Sequence, residues 1–179
     1  MEEEYLRNEI LKHVRSIPDF PKKDIVFRDT FPLLRNGNLF RKIVDNVSEH
    51  YKDTKIDYVV AKDMQGVLWA GAIAHKMGIG IIPMFRKDVY GECLKSVYSH
   101  EYNPERVLLL QKDSIKKGDR ILLVDYLMAT GNTMRNMSDL VEKLGGEVVG
   151  IFSLLELKYK NPRKGLEKYD IYTFVQYDS

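Results

Sequence analysis

Apolar residues recur first at helical spacing and then in short runs, and the change divides the chain. Tyr5, Leu6, Ile10, Leu11 and Val14 predict a helix over Glu2–Ser16, which Pro18 and Pro21 bring to an end. Phe40, Ile43, Val44 and Val47 repeat the spacing and predict a helix over Leu39–Tyr51. Beyond them come strands expected at Tyr58–Ala61, Gly80–Met84, Arg106–Gln111, Ile121–Val124 and Val148–Leu155. Further helices are expected over Val67–Met77 and Met134–Leu144. Strands that alternate with helices imply an α/β fold with a central parallel sheet and right-handed crossovers. Phe85–Tyr102 keeps no clean period, is rich in charge and contains Gly91, so it reads as a flexible lid rather than a plain connection.

With 179 residues the chain fits one domain, 1–179, large enough for a substantial core. Apolar residues make up 44%, charged ones 30%, and the net charge is +2. That balance excludes disorder and a strong polyanion-binding surface, so no nucleic-acid partner is expected and any electropositive site must be local. The apolar runs are too short to span a bilayer, and Met1-Glu2-Glu3-Glu4 is the wrong start for a signal peptide. No membrane partner and a cytoplasmic location are therefore expected. The single cysteine, Cys93, allows no internal disulfide. His13, His50, His75 and His100 show no metal spacing, and no dedicated ligand cluster for a metal is visible.

Chemistry concentrates in Ile121–Thr133. The apolar run Ile121–Val124 suits a strand covered on both faces, and Asp125 then falls at its carboxyl end, where open α/β sheets take their ligands. Ala129, Thr130 and Gly131 let the backbone turn sharply, while Thr130, Asn132 and Thr133 offer side-chain hydrogen bonds. The helix expected next points its free N–H groups into that turn, a good seat for a phosphate. Competing phosphate motifs fail: there is no Gly-x-x-x-x-Gly-Lys-Ser/Thr, and Gly78-Ile79-Gly80 lacks the third glycine of a dinucleotide fingerprint.

The pattern Asp125 through Thr133 resembles the phosphoribosyl pyrophosphate (PRPP) signature of the type I phosphoribosyltransferases. Ile17-Pro18-Asp19-Phe20-Pro21, Ile25–Thr30, Tyr58-Val59-Val60 with Gly66, Tyr98 with Glu101-Tyr102, and Leu140–Gly150 resemble segments of the adenine phosphoribosyltransferases, in family order. The resemblance implies transfer of a phosphoribosyl group from PRPP to adenine, giving AMP and pyrophosphate, by a homodimer. It implies an N-terminal helix and base-binding hood over 1–35, with the lid at 85–102. The base would lie against Val26, Phe27 and Arg28. Asp125, Tyr126, Ala129, Thr130, Gly131, Asn132 and Thr133 would hold the ribose and 5′-phosphate. Lys62, Asp63, Met64, Gln65, Gly66, Arg86 and Lys87 would face the pyrophosphate. Glu101, Tyr102 and Asp125 would be catalytic, with Glu101 handling the purine N7 proton. Mg²⁺ would be held mainly through substrate oxygens and water.

Several positions depart from the family pattern. Tyr126 stands where a second acid is usual, Gln65 where the pyrophosphate loop usually has arginine, and Asn132 in place of a second loop glycine; the lid, Arg86-Lys87-Asp88-Val89-Tyr90-Gly91, is shortened. Gln65 and Tyr126 imply reduced activity. Two alternatives stay open: a catalytically weak or inactive PRPP- or nucleotide-binding homologue with a regulatory role, and a phosphoribosyltransferase for another base, for which Lys158 offers a 6-oxopurine contact.

Overall fold

The computed structural model describes residues 2–87, 89–100 and 103–179. In chain order its elements are α1 (Glu2–His13), β1 (Arg15–Ile17), β2 (Phe27–Asp29), α2 (Phe31–Arg35), α3 (Gly37–His50), β3 (Tyr58–Lys62), α4 (Asp63–Met77) and β4 (Gly80–Met84). There follow β5 (Cys93–His100), β6 (Asn103–Gln111), β7 (Arg120–Met128), α5 (Asn132–Lys143), β8 (Glu147–Leu157), a 3₁₀ turn at Lys158–Lys160, and β9 (Ile171–Tyr177). Five strands form one parallel sheet in the order β4-β3-β7-β8-β9.

Strand periodicity divides the core between the two faces of this sheet. Val59 and Ala61 of β3, with Leu122 and Val124 of β7, pack with α1, α3 and α4. Val60, Ile121 and Leu123 point the other way, onto Met134, Met137, Leu140 and Val141 of α5. The helix starting at Gly37 forms because Leu39, Ile43, Val44 and Val47 share a buried stripe and the Asn36 side chain accepts the Leu39 amide at its N-terminus. α4 ends where Gly78 takes a left-handed conformation, φ +69°.

One expectation changes, and β1, β2, β5 and β9 add to the strands expected. Arg106–Gln111 is a strand, but it lies outside the parallel sheet, in an antiparallel hairpin of β5 and β6. β5 lacks a clean period because its polar and apolar faces are partly exchanged: Ser96 is turned inward, donating to Asn136 Oδ1 at 2.6 Å, while Val97 is half exposed. β9 carries no simple alternation either, since Phe174 and Val175 are both buried. The N-terminal β1 and β2 pair as a small antiparallel ribbon fastened by Arg15 and Asp29, 2.5 Å between Nη2 and Oδ2.

Candidate active site

From β3 the chain crosses through α4 to β4 on one side, and it later returns as β7 on the other. Such a reversal opens a crevice at the carboxyl ends of the strands. β3 and β7 pair as far as Ala61 and Val124, so the next residues, Lys62 and Asp125, meet at its floor. Lys62 Nζ lies 2.7 Å from Asp63 Oδ2 and 3.3 Å from Asp125 Oδ2, and Arg86 closes a further ion pair on Asp63. Lys62 is 6% exposed and Asp125 2%.

These groups set one another's charge. Burial alone would discharge Lys62, but Asp125 and Asp63 outweigh it and hold the ammonium above its ordinary range. Burial pushes the Asp125 carboxyl up, against the pull of Lys62 and of the Tyr126 amide, which donates to Oδ1 at 2.8 Å. For Asp63 burial is overcome by Lys62 and Arg86, so its carboxyl is held low. Burial and then Asp125 push the Tyr126 phenol up to about 12, so the residue in the second acidic position is neutral.

Past β7 the chain turns through Gly131, φ +75°, into α5. Arg135 fastens this turn from behind: its guanidinium donates to the Thr130 carbonyl at 2.9 Å, to the Asn132 side chain and to the Lys164 carbonyl. The Tyr98 hydroxyl of the hairpin lies 3.3 Å from Thr133 Oγ1. A cavity of about 290 Å³ runs from this turn to the β1–β2 ribbon. Its far end is apolar, formed by Phe20, Ile25, Phe27, Leu127 and Leu157. Phe20 and Phe27 meet edge to face at 5.3 Å. Arg28 sits 4.2 Å over the Tyr177 ring and donates to Ser16 Oγ at 2.6 Å.

Most residues singled out by sequence gather here: Val26, Phe27, Arg28, Lys62, Asp63, Arg86, Asp125, Tyr126, Ala129, Thr130, Gly131 and Thr133 all line the cavity. Met64, Gln65, Gly66, Lys87 and Asn132 do not. Met64 faces solvent, and Gly66 sits behind Asp125. Gln65 is buried and accepts a hydrogen bond from Thr30 Oγ1 at 2.5 Å, tying α4 to the segment after the ribbon. Lys158 is exposed and paired with Asp178 at 3.2 Å, away from the cavity. Glu101 and Tyr102 lie outside the described residues. Sequence reasoning assigned no role to Leu127, three residues past the expected strand Ile121–Val124, to Leu157, two past Val148–Leu155, or to Arg106 and Arg135. For Arg135 the available signal was its place one helical turn after Gly131.

The Gln65–Thr30 contact carries a prediction. Thr30→Val should leave a buried acceptor unpaired, a cost of about 1–3 kcal/mol, and lower the melting temperature by roughly 2–10 °C. Gln65→Arg should lower it further, because a cation would be buried against a single hydroxyl. Calorimetric melting of both variants checks this; a Gln65→Arg protein as stable as the parent would show that the side chain is free to swing into the cavity.

The phosphoribosyl transferase domain family matches residues 32–178. The chain is 42% identical over 175 residues to adenine phosphoribosyltransferase of Thermotoga maritima, covering 94% of this chain and 98% of that protein. It superposes on the crystal structure of adenine phosphoribosyltransferase from Thermoanaerobacter pseudethanolicus with a TM-score of 0.91 and 34% identity, covering 96% of this chain and 99% of that one. The Saccharomyces cerevisiae adenine phosphoribosyltransferase, complexed with an imino-altritol bisphosphate and adenine, gives 0.88 and 29%, with 96% and 99% covered.

Proposed function

The chain belongs to the phosphoribosyltransferase family, and from that premise we propose that it transfers the 5-phosphoribosyl group of PRPP to adenine, releasing AMP and pyrophosphate. The observation that carries the choice is one cavity with three chemically distinct parts: a glycine turn at a helix start, a buried carboxylate at the strand switch, and an apolar slot under the ribbon.

Each part suits one portion of the substrates. Amide and hydroxyl donors of residues 129–133 receive the 5′-phosphate. Asp125 faces the ribose, where its carboxylate stabilises the positive charge that develops as the glycosidic bond breaks. Phe27, Val26, Leu127 and Leu157 supply the apolar lining for the purine, and Arg28 lines the same cavity. Lys62 and Arg86 lie on the pyrophosphate side and keep Asp63 and Asp125 from repelling the leaving group. Residues 1–35 form the hood over the base. The lid role is assigned to the segment 85–102, of which Cys93–His100 is strand β5; its closure would keep water from the oxocarbenium-like sugar, with Glu101 and Tyr102, outside the described residues, in the catalytic roles.

The donor set fits a Mg²⁺ ion brought in on PRPP. Among the described residues no group of three or more acids, histidines and cysteines gathers to hold a metal, and the cavity's two carboxylates are already engaged by Lys62. Asp125 and Asp63 would therefore reach the ion only through water or substrate oxygens. Bound there, the ion supplies neutralisation of the departing pyrophosphate. The same reading has the enzyme working as a homodimer in the cytoplasm, a setting that its single cysteine suits.

The test is AMP formation from adenine and PRPP with Mg²⁺, with hypoxanthine, guanine and uracil in parallel. Adenine alone should be turned over. Lys158, the residue considered for a 6-oxo group, pairs with Asp178 and is not among the residues that line the cavity. Tight PRPP binding without any product would instead assign the regulatory role.

A further inference from the structure

We propose that Arg106 is an additional ligand of the phosphomonoester end of the substrate, reaching across from the β5–β6 hairpin to the 5′-phosphate at residues 129–133; this rests on the function proposed above. Strand parity gives Arg106 its direction. Leu108 and Leu110 on the same face of β6 are fully buried, so Arg106 continues an inward-facing stripe and lines the cavity where the stripe ends. Its cross-strand partner is Tyr98, which is buried and whose hydroxyl contacts Thr133. Side chains of directly paired residues lie side by side, so Arg106 is carried to the same end of the cavity as the phosphate turn.

The Arg106 Nε is also without a partner among the described residues. Among those residues four cations line the cavity, Arg106 and three others: Lys62 and Arg86 are paired to Asp63, and Arg28 is held by Ser16 and Tyr177. Arg106 makes no ion pair among the described residues, and its Nε is buried with no hydrogen-bond partner. A buried donor on a charged group is costly to leave unpaired, and folded proteins seldom tolerate it without a ligand or solvent to satisfy it. The turn itself supplies only neutral donors, from amides and the Thr130 and Thr133 hydroxyls. A phosphate dianion placed there lacks a cation, and the planar fork of an arginine matches phosphate oxygens. Sequence reading passed over Arg106 because the strand's inner face is visible only once the hairpin register is known.

Arg106→Met and Arg106→Lys, made in the full chain, are titrated calorimetrically with ribose 5-phosphate, AMP, inorganic pyrophosphate and adenine, and melted in parallel. Arg106→Met should weaken ribose 5-phosphate and AMP by about ten- to a hundredfold. Arg106→Lys should weaken them less, and pyrophosphate and adenine should be unaffected. The melting temperature should stay level or rise, since the Nε contributes no bond to the fold. A loss confined to pyrophosphate would place the residue on the leaving group and overturn the assignment. Unchanged phosphomonoester affinity would also overturn it, as would a fall in melting temperature as its sole effect. A parent protein that binds neither ribose 5-phosphate nor AMP would refute the functional reading itself, whereas a parent that binds both and a variant that binds equally well would refute only Arg106.

Discussion

Gly131→Val should abolish measurable binding of AMP and PRPP together and lower the melting temperature as well. The residue sits at φ +75°, where a side chain costs about 1–2 kcal/mol before any contact is counted. A Cβ built there would lie 1.9 Å from the Pro162 carbonyl oxygen and 2.8 Å from Arg135 Nη1. Arginine can move, but the backbone oxygen cannot without displacing the segment after β8. The turn must then shift and pull away from Arg135, which holds the Thr130 carbonyl and the Asn132 side chain in place. Losing two phosphate contacts at about 1.5–3 kcal/mol each would weaken binding by at least roughly a hundredfold. Gly131→Ala meets the same oxygen and should differ little from valine. Calorimetric titration with AMP, on protein shown to be folded by melting and circular dichroism, decides the matter: a folded variant with parental AMP affinity would remove this turn as the phosphate seat.

That turn was legible from sequence because its cues are local: an apolar run, an acid, small residues and a helix start follow one another without a gap. Strand order is not a local property, and what depended on it was hidden. Lys62 and Asp125 lie far apart in the chain, and they meet only because β7 returns beside β3 instead of beyond β4. Gln65 shows the opposite case. Its position in the expected pyrophosphate loop marked it as a ligand, and the helical turn of α4 brings its side chain onto Thr30, inside the protein. The hairpin escaped notice because Ser96 points inward and Val97 outward, inverting the usual alternation; the inward serine is satisfied by Asn136 of α5, a contact between distant elements. The apolar slot was half seen, since Phe27 belongs to a recognisable segment whereas Leu127 and Leu157 come from two different strand ends.

Lys62→Met should damage the protein twice, in stability and in rate, with a pH dependence that identifies Asp125 as the cause. Asp63 keeps Arg86 when the ammonium is removed, but Asp125 is left with the Tyr126 amide alone in a place almost closed to water. Breaking a buried pair on one side costs about 3–5 kcal/mol, a large share of the roughly 5–15 kcal/mol that holds a domain together. Burial already holds this carboxyl above its ordinary value of 3.8, and without Lys62 it must rise further. An acid whose folded pKa is raised loses stability as pH climbs from the unfolded value to the folded one, and nothing more above it. The deficit of the variant should therefore be small near pH 3 and grow through the mildly acidic range. Over the same range the carboxyl is protonated and cannot stabilise a cationic sugar, so the acid limb of the kcat profile should move to higher pH. Asp125→Asn should lose rate at every pH while costing less stability, because Lys62 retains Asp63. The double variant Lys62→Met/Asp125→Asn should regain much of the lost stability and none of the activity, the non-additivity expected of groups in contact. Melting temperatures across pH and single-turnover rates for the parent and these three variants test the set. A stability deficit in Lys62→Met that does not vary with pH, together with no recovery in the double variant, would show that Lys62 acts through Asp63 and the start of α4 rather than through Asp125.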